Sequence, residues 1–276
     1  MTKQEKSAAR ADEGDWVIKV LARSGVGSRR DVERMIKDRR VRLKGKVLES
    51  PVLKVTGTSE LTIDGAPVAA AEPTRIWRYY KPRGLVTTHK DPQGRPTVFS
   101  KLPSQLGRVI SVGRLDFNSE GLLLLTNDGD LARWMELPST GWKRRYRVRA
   151  FGKIDEERLT AIIRGIEIKG VRYRGIKAKV ESTRGMNSWL QIELREGKNR
   201  EVRRVLKHLG LEVSRLIRTS FGPFELGNQR KGEIQEAPLS TIENLSEELK
   251  KRLGLKPQNY EKSGWAKPQP RHRSRK

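Results

Sequence analysis

Three carboxylates crowd one short stretch, "GRLDFNSEGLLLLTNDG" at residues 113–129: Asp116, Glu120 and Asp128. A carboxylate can serve as nucleophile or base at a sugar carbon with no metal or thiol beside it. The chain has no cysteine, which excludes thiolate nucleophiles, disulfides and zinc sites built on sulfur. His89, His208 and His272 lie far apart in sequence, so no metal ligand is expected. Glu120 and Asp128 have ordinary duties open to them, an ion pair and a helix or turn cap. Asp116 sits directly behind Gly113-Arg114-Leu115 and is the acid that packing of Leu122 to Leu125 does not require.

Two further stretches carry reactive or basic side chains. In "RRYRVRAFG" a strand alternation puts Tyr146, Val148 and Ala150 on one face. Arg145, Arg147 and Arg149 fall on the other, where phosphate contact is expected. In "NREVRRVLKHLG" a helix would send Val202, Val205, Leu206 and Leu209 inward and leave Arg200, Arg203 and Arg204 around its margin. Glu201, an acid among these cations, is expected to pair with a neighbouring arginine. Leu216, in "RLIRTSFGPF", is either core or the apolar wall of a pocket.

The elements around these residues are set by composition and pattern. Lysine and arginine number 59 against 33 acids, a net charge of +26 on 276 residues. That excess is the footprint of a polyanionic partner. The longest apolar run, Leu122 to Leu125, is far short of a membrane span, and the N-terminus has no hydrophobic signal core. A cytoplasmic protein acting on nucleic acid, with no membrane partner, is the expectation.

Residues 1–14 read as a flexible leader. Residues 15–64 form a small basic unit in which Trp16, Val17, Val20 and Leu21 sit at helical spacing before Gly25. Ser28 and Asp31 have capping-box spacing, and Val32, Met35 and Ile36 make the apolar stripe. Arg29, Arg30, Arg34, Lys37, Arg39, Arg40 and Lys44 crowd the opposite face and the following hairpin, as expected for phosphate contact. Residues 65–75, small and proline-containing, read as a linker. Residues 76–237 show many strands, "GLVTTH" among them, interrupted by two helices, "IDEERLTAIIRGI" and "NREVRRVLKHLG". Such an order predicts an α+β fold. Residues 238–276 predict an amphipathic helix and a disordered basic tail.

Residues 16–62, carried by "KVLARSGVGSRRDVERMIKDRRVRLKGKVLESP", resemble the S-four-type RNA-binding domain, an αL-like module. Residues 76–236 resemble the catalytic domain of the ribosomal RNA pseudouridine synthases of the small-subunit uridine synthase type. The motifs are "VGRLDFNSEGLLLLTNDGDLA", "KRRYRVRAFG", "LREGKNREVRRVLKHLG" and "LIRTSFGPFELG", in family order. The resemblance implies a mainly antiparallel mixed sheet and isomerisation of uridine to pseudouridine without a cofactor. It places the catalytic carboxylate on Asp116 and sets Tyr146 against the target uracil. It assigns Arg203 to pair with Asp116, with Arg200 and Arg204 as competitors for that position or as substrate contacts. Arg114 would fill the space left by a flipped uridine or hold its phosphate, and Leu216 would line the pocket.

The stretch around residues 110–148 is closer to the B-type branch of that family, whose members act on the large ribosomal subunit. Large-subunit ribosomal RNA is therefore the expected substrate, free or in an assembling particle, for a monomeric enzyme. The alternatives are small-subunit ribosomal RNA, or an assembly factor that binds ribosomal RNA without catalysis. The intact set Asp116, Tyr146 and Arg203 favours the enzyme.

Overall fold

The computed structural model describes residues 14–242. Near its N-terminus, β1 (Asp15–Trp16) leads into α1 (Val17–Arg23) and α2 (Arg29–Lys37). Ser28 caps α2: its hydroxyl accepts from Asp31 N, and the Asp31 carboxylate accepts from Ser28 N. Strands β2 (Val41–Leu43), β3 (Lys46–Val47), β4 (Lys54–Val55), β5 (Leu61–Ile63) and β6 (Ala66–Pro67) follow. Four of them form a sheet in the order β3-β2-β5-β6, and β4 pairs with β1. The two helices bury Val17, Leu21, Val32 and Ile36 against Val41 and Leu61. Because β6 belongs to this sheet, the stretch without regular structure before the next strand narrows to residues 68–75.

The larger unit is built on β7 (Ile76–Lys81), β8 (Ile110–Val112), β9 (Glu120–Thr126), α3 (Gly129–Glu136) and β10 (Arg144–Phe151). It continues through α4 (Glu156–Ala161), β11 (Ile166–Ile168), β12 (Val171–Tyr173), β13 (Lys177–Arg184) and β14 (Asn187–Leu194). It closes with α5 (Glu201–His208), β15 (Glu212–Phe221), β16 (Phe224–Glu225) and β17 (Ile234–Ala237). The main sheet runs β13-β14-β10-β15-β9-β7-β17, with β8 alongside β9 and β16 alongside β15. Its one parallel pairing among the described residues joins β9 to β15. The fold is therefore α+β on a mixed, mostly antiparallel sheet.

Leu122 to Leu125 have no solvent exposure, because layers cover both faces of β9. Leu123 and Leu125 join Trp77, Tyr79, Val98 and Leu115 in one core. A second core gathers Val148, Leu190, Ile192, Val202, Leu206 and Leu216 beneath α5.

Two sequence expectations change, and a third lies outside the described residues. The helix α3 was not anticipated, although Asp128 signalled it: its carboxylate accepts from Asp130 N and Leu131 N, and Leu131, Ala132 and Met135 are buried. "GLVTTH" forms only an isolated bridge between Val86 and Thr97, since the facing Pro96 has no N–H to extend a ladder. The helix expected after Ser240 lies largely outside the described residues, which end in a single 3₁₀ turn, Leu239–Thr241.

Gly121 lets the parallel pair form. It has φ +106°, and a Cβ there would stand 2.3 Å from the Arg218 carbonyl oxygen. Gly121→Ala is expected to cost about 3 kcal/mol and lower Tm by about 6–12 °C in thermal unfolding. An unchanged Tm would contradict the close approach of β9 and β15.

Candidate active site

The loop between β8 and β9 carries Asp116, and its backbone is fastened at every carbonyl from residue 115 to residue 119. Thr87 Oγ1 donates to the Leu115 oxygen at 2.9 Å. Gly84 N donates to Phe117 O, Arg203 to Asn118 O, and Ser119 N to Asp116 O. Lys81, at the end of β7 and without solvent exposure, donates to Asp116 O at 3.1 Å, Ser119 O at 2.8 Å and Pro82 O at 3.1 Å. Burial draws the Lys81 ammonium down to about 8, against the opposing pull of Asp116 and Glu120. Gly113 N adds a bond to the Glu136 carboxylate.

So held, the Asp116 side chain faces a cleft of about 420 Å³. Tyr146 and Leu216 contribute to its lining, from β10 and β15, and Arg114 stands exposed at its rim. Arg200 Nη1 lies 3.5 Å from Asp116 Oδ2. Arg200 is not inside α5 but caps it, at φ +51°. That left-handed backbone is uncommon for a residue with a Cβ and is characteristic of functional turns. It swings the guanidinium toward Asp116.

The direct ion pair expected of Arg203 is thus made by Arg200. Arg203 lies one turn on, where its guanidinium donates to Val213 O at 2.9 Å and Asn118 O at 3.0 Å. It braces the loop that bears Asp116. Arg204 bonds to Asn199 and is not part of the cleft lining.

The cleft combines a fixed carboxylate, a paired guanidinium, an aromatic ring and an apolar wall in the volume of a small-ligand site. Against known proteins, residues 75–208 match the family model described as RNA pseudouridylate synthase, and residues 16–61 match the S4 domain. A protein of Rickettsia bellii described as an uncharacterized RNA pseudouridine synthase is 47% identical over 220 residues, covering 80% of this chain and 95% of that one. This chain belongs to the RNA pseudouridine synthase family. It is therefore an isomerase that acts on RNA. The ribosomal large subunit pseudouridine synthase B of Pasteurella multocida is 40% identical over 266 residues, covering 91% of this chain and 77% of its own. A crystal structure of a pseudouridylate synthase superimposes with a TM-score of 0.57 at 24% identity, covering 81% of this chain and 96% of that one, and shares the fold.

The synthase also places charges that sequence reading missed. Arg144 and the buried Arg218 line the cleft and stack over Phe221, their guanidinium carbons 4.8 and 5.1 Å from its centroid. Arg144 shares the parity of Tyr146 on β10, a signal that was available. Arg145 and Arg147 point the other way and pair with Glu193 and Glu181 on the sheet's outer face. Glu120 is fully buried beneath Arg215 and Lys231, which hold its carboxyl below the usual range although burial opposes them.

On the S4 domain, Arg29, Arg30, Arg34, Lys37, Arg39, Arg40 and Lys44 are all exposed. Four of them meet acids of the same module: Arg34 with Asp31, Arg39 with Glu49, Arg40 with Asp64, Lys44 with Glu60. Exposed pairs of this kind are worth less than about 1 kcal/mol, so a phosphate can displace the acid. The module also touches the larger unit, through Arg23 to Asp128 and Lys19 to Asp130, each at 3.3 Å.

Proposed function

We propose that this synthase converts a uridine of large-subunit ribosomal RNA to pseudouridine in the cytoplasm, as a monomer, with Asp116 as the carboxylate that meets the ribose. The observation that carries the reading is the Asp116–Arg200 pair in a cleft lined by Tyr146 and Leu216. The relatives named for the large subunit support the choice of RNA.

The chemistry is an isomerisation, so atoms balance without a co-reactant. The bond from the anomeric carbon to N1 breaks, the uracil turns, and carbon 5 bonds to the same sugar carbon. Carbon 5 gives up its proton and N1 ends protonated. A carboxylate can start this by attacking the anomeric carbon or by taking the proton of the adjacent sugar carbon. Asp116 serves for either step, since the other acids of the cleft, Glu136, Glu196 and Glu201, accept from Gly113 N, Arg174 N and Lys198 N. The target nucleotide must leave its stack to reach it, and Arg114 at the rim is placed to take up the vacated position. Tyr146 offers the detached uracil a flat surface to turn against and a hydroxyl near its edge. The exposed cations of the S4 domain supply phosphate contacts that do not read sequence.

The test is tritium release from transcripts carrying uridine tritiated at carbon 5. Release is expected from large-subunit and not from small-subunit ribosomal RNA. The reverse would overturn the target. No release from either transcript, nor from large-subunit precursor particles, would overturn the isomerase reading of this cleft.

A further inference from the structure

Glu201 opens α5 immediately after Arg200 and is only 3% exposed. Its Oε2 accepts from Lys198 N at 2.8 Å, a bond back into the connection that precedes the helix. That bond leaves the other oxygen unexplained: Oε1 is enclosed and has no hydrogen-bond partner among the described residues. A buried oxygen without a donor is costly enough to demand one. The group beside it is a second acid, Glu196, whose carboxyl is within hydrogen-bonding reach of Glu201.

We propose that Glu201 and Glu196 share one proton, and that this bond is a positioning device for Arg200, the cation beside Asp116. The idea rests on the reading of Asp116 as the reacting carboxylate. Residues 195–200 connect β14 to α5, and a protonated Glu201 donating to Glu196 ties the two ends of that short connection together. Glu196 is otherwise fastened to Arg174 N at 2.7 Å and to the Lys198 ammonium at 3.2 Å, so it is the natural anionic member. Lys198 also reaches the Arg172 carbonyl. The cations and acids that face the pair are Lys198 on the same connection, Arg174 beyond β12, Arg144 on β10 and Arg218 on β15, with Tyr146 and the Asp116–Arg200 pair across the cleft. None of these donates to Glu201 Oε1.

Burial, with the neighbouring Glu196 carboxylate adding to it, pushes the Glu201 carboxyl up to about 7. Glu196, despite burial, is held below its usual range by the Arg174 N–H and Lys198. As pH rises through 7, Glu201 loses its proton and the buried carboxylate repels its half-buried neighbour. The connection then loosens and Arg200 leaves the geometry it shares with Asp116.

Glu201→Gln isolates this titration, because glutamine keeps the bond from Lys198 N and donates to Glu196 at every pH. Between about pH 6 and about pH 8, the wild-type kcat for tritium release should fall about ten-fold further than that of E201Q, with KM unchanged. In protein labelled with carbon-13 at glutamate carboxyls, the resonance missing from E201Q should titrate near 7. Glu196→Gln, whose amide donates in the opposite direction, should also remove the extra ten-fold and serves if E201Q does not fold. A Glu201 resonance titrating near 4.5, or superimposable pH profiles for wild type and E201Q, would overturn the proposal. A wild type that releases no tritium at any pH would instead strike the catalytic reading of the cleft, and the carboxyl titration would still decide the shared proton.

Discussion

Asp116→Asn is expected to lower tritium release at least about 10³-fold while leaving RNA affinity within a few-fold. The substitution exchanges one oxygen for an amide and leaves the loop's anchors alone, because those anchors hold backbone carbonyls and not the side chain. Asparagine cannot attack a sugar carbon or accept a proton at a useful rate. Its loss of charge adds one net positive charge to a cleft that already holds Arg144, Arg200 and Arg218, so phosphate binding is not weakened. Stability should hardly change, since the Asp116 and Arg200 side chains are 32% and 46% exposed and such a pair contributes less than about 1 kcal/mol. Thermal unfolding run beside the assay separates lost chemistry from lost fold. A folded D116N enzyme that keeps more than about one part in ten of wild-type turnover would remove Asp116 from the mechanism.

The line between what the residues disclosed and what they hid follows the range of the physical rule involved. A strand alternates with period two, so Tyr146, Val148 and Ala150 could be put on one face of β10 from neighbouring residues alone. The same rule covers Arg144, which stands two positions before Tyr146. On α5 the helical period fails for a specific reason: Arg200 is not a helical residue. Its positive φ takes it out of the wheel on which Arg200, Arg203 and Arg204 would be compared, so the ion pair goes to the residue that the wheel cannot place. The capping duty of Asp128 was legible because it is a common local solution. The partners of Glu120, Arg215 and Lys231, come from distant parts of the chain, and only the fact of a pair could be expected. Burial is a property of the assembled sheet. Lys81 lies next to a proline at a strand end and Glu201 lies among arginines, and either pattern ordinarily means a solvated charge. Only the pairing of β7 with β9 and the packing of α5 onto β15 remove them from water.

Lys81→Met is expected to lower kcat about 10²-fold with little loss of stability near neutral pH. Methionine keeps the stem's length and apolar contacts but has no donor. Ser119 O and Pro82 O then lose the ammonium that bonds them, and Asp116 O keeps only Ser119 N. The loop relaxes, and a displacement of about 1 Å at a reacting group is enough for the stated loss. Stability behaves differently, because the buried charge is itself unfavourable. Its value of about 8 in the folded protein lies below the ordinary 10.5, so between those pH values the folded state binds fewer protons than the unfolded chain. Stability from this group therefore rises as pH climbs from 8 to 10.5, by about 3 kcal/mol, and below 8 the same amount stands as a cost. Removing the charge relieves that cost and strands two carbonyls at about 1–3 kcal/mol each, so the two effects largely offset. Urea unfolding of both proteins at pH 7, 8 and 10.5 checks the sign: the wild type should gain about 3 kcal/mol on the variant over the upper interval and nothing over the lower. Parallel curves, or a kcat within about three-fold of wild type, would mean that the buried ammonium does not hold the Asp116 loop. A charge kept at this cost beneath a loop whose carbonyls from residue 115 to residue 119 are all tied fixes the position of one carboxylate.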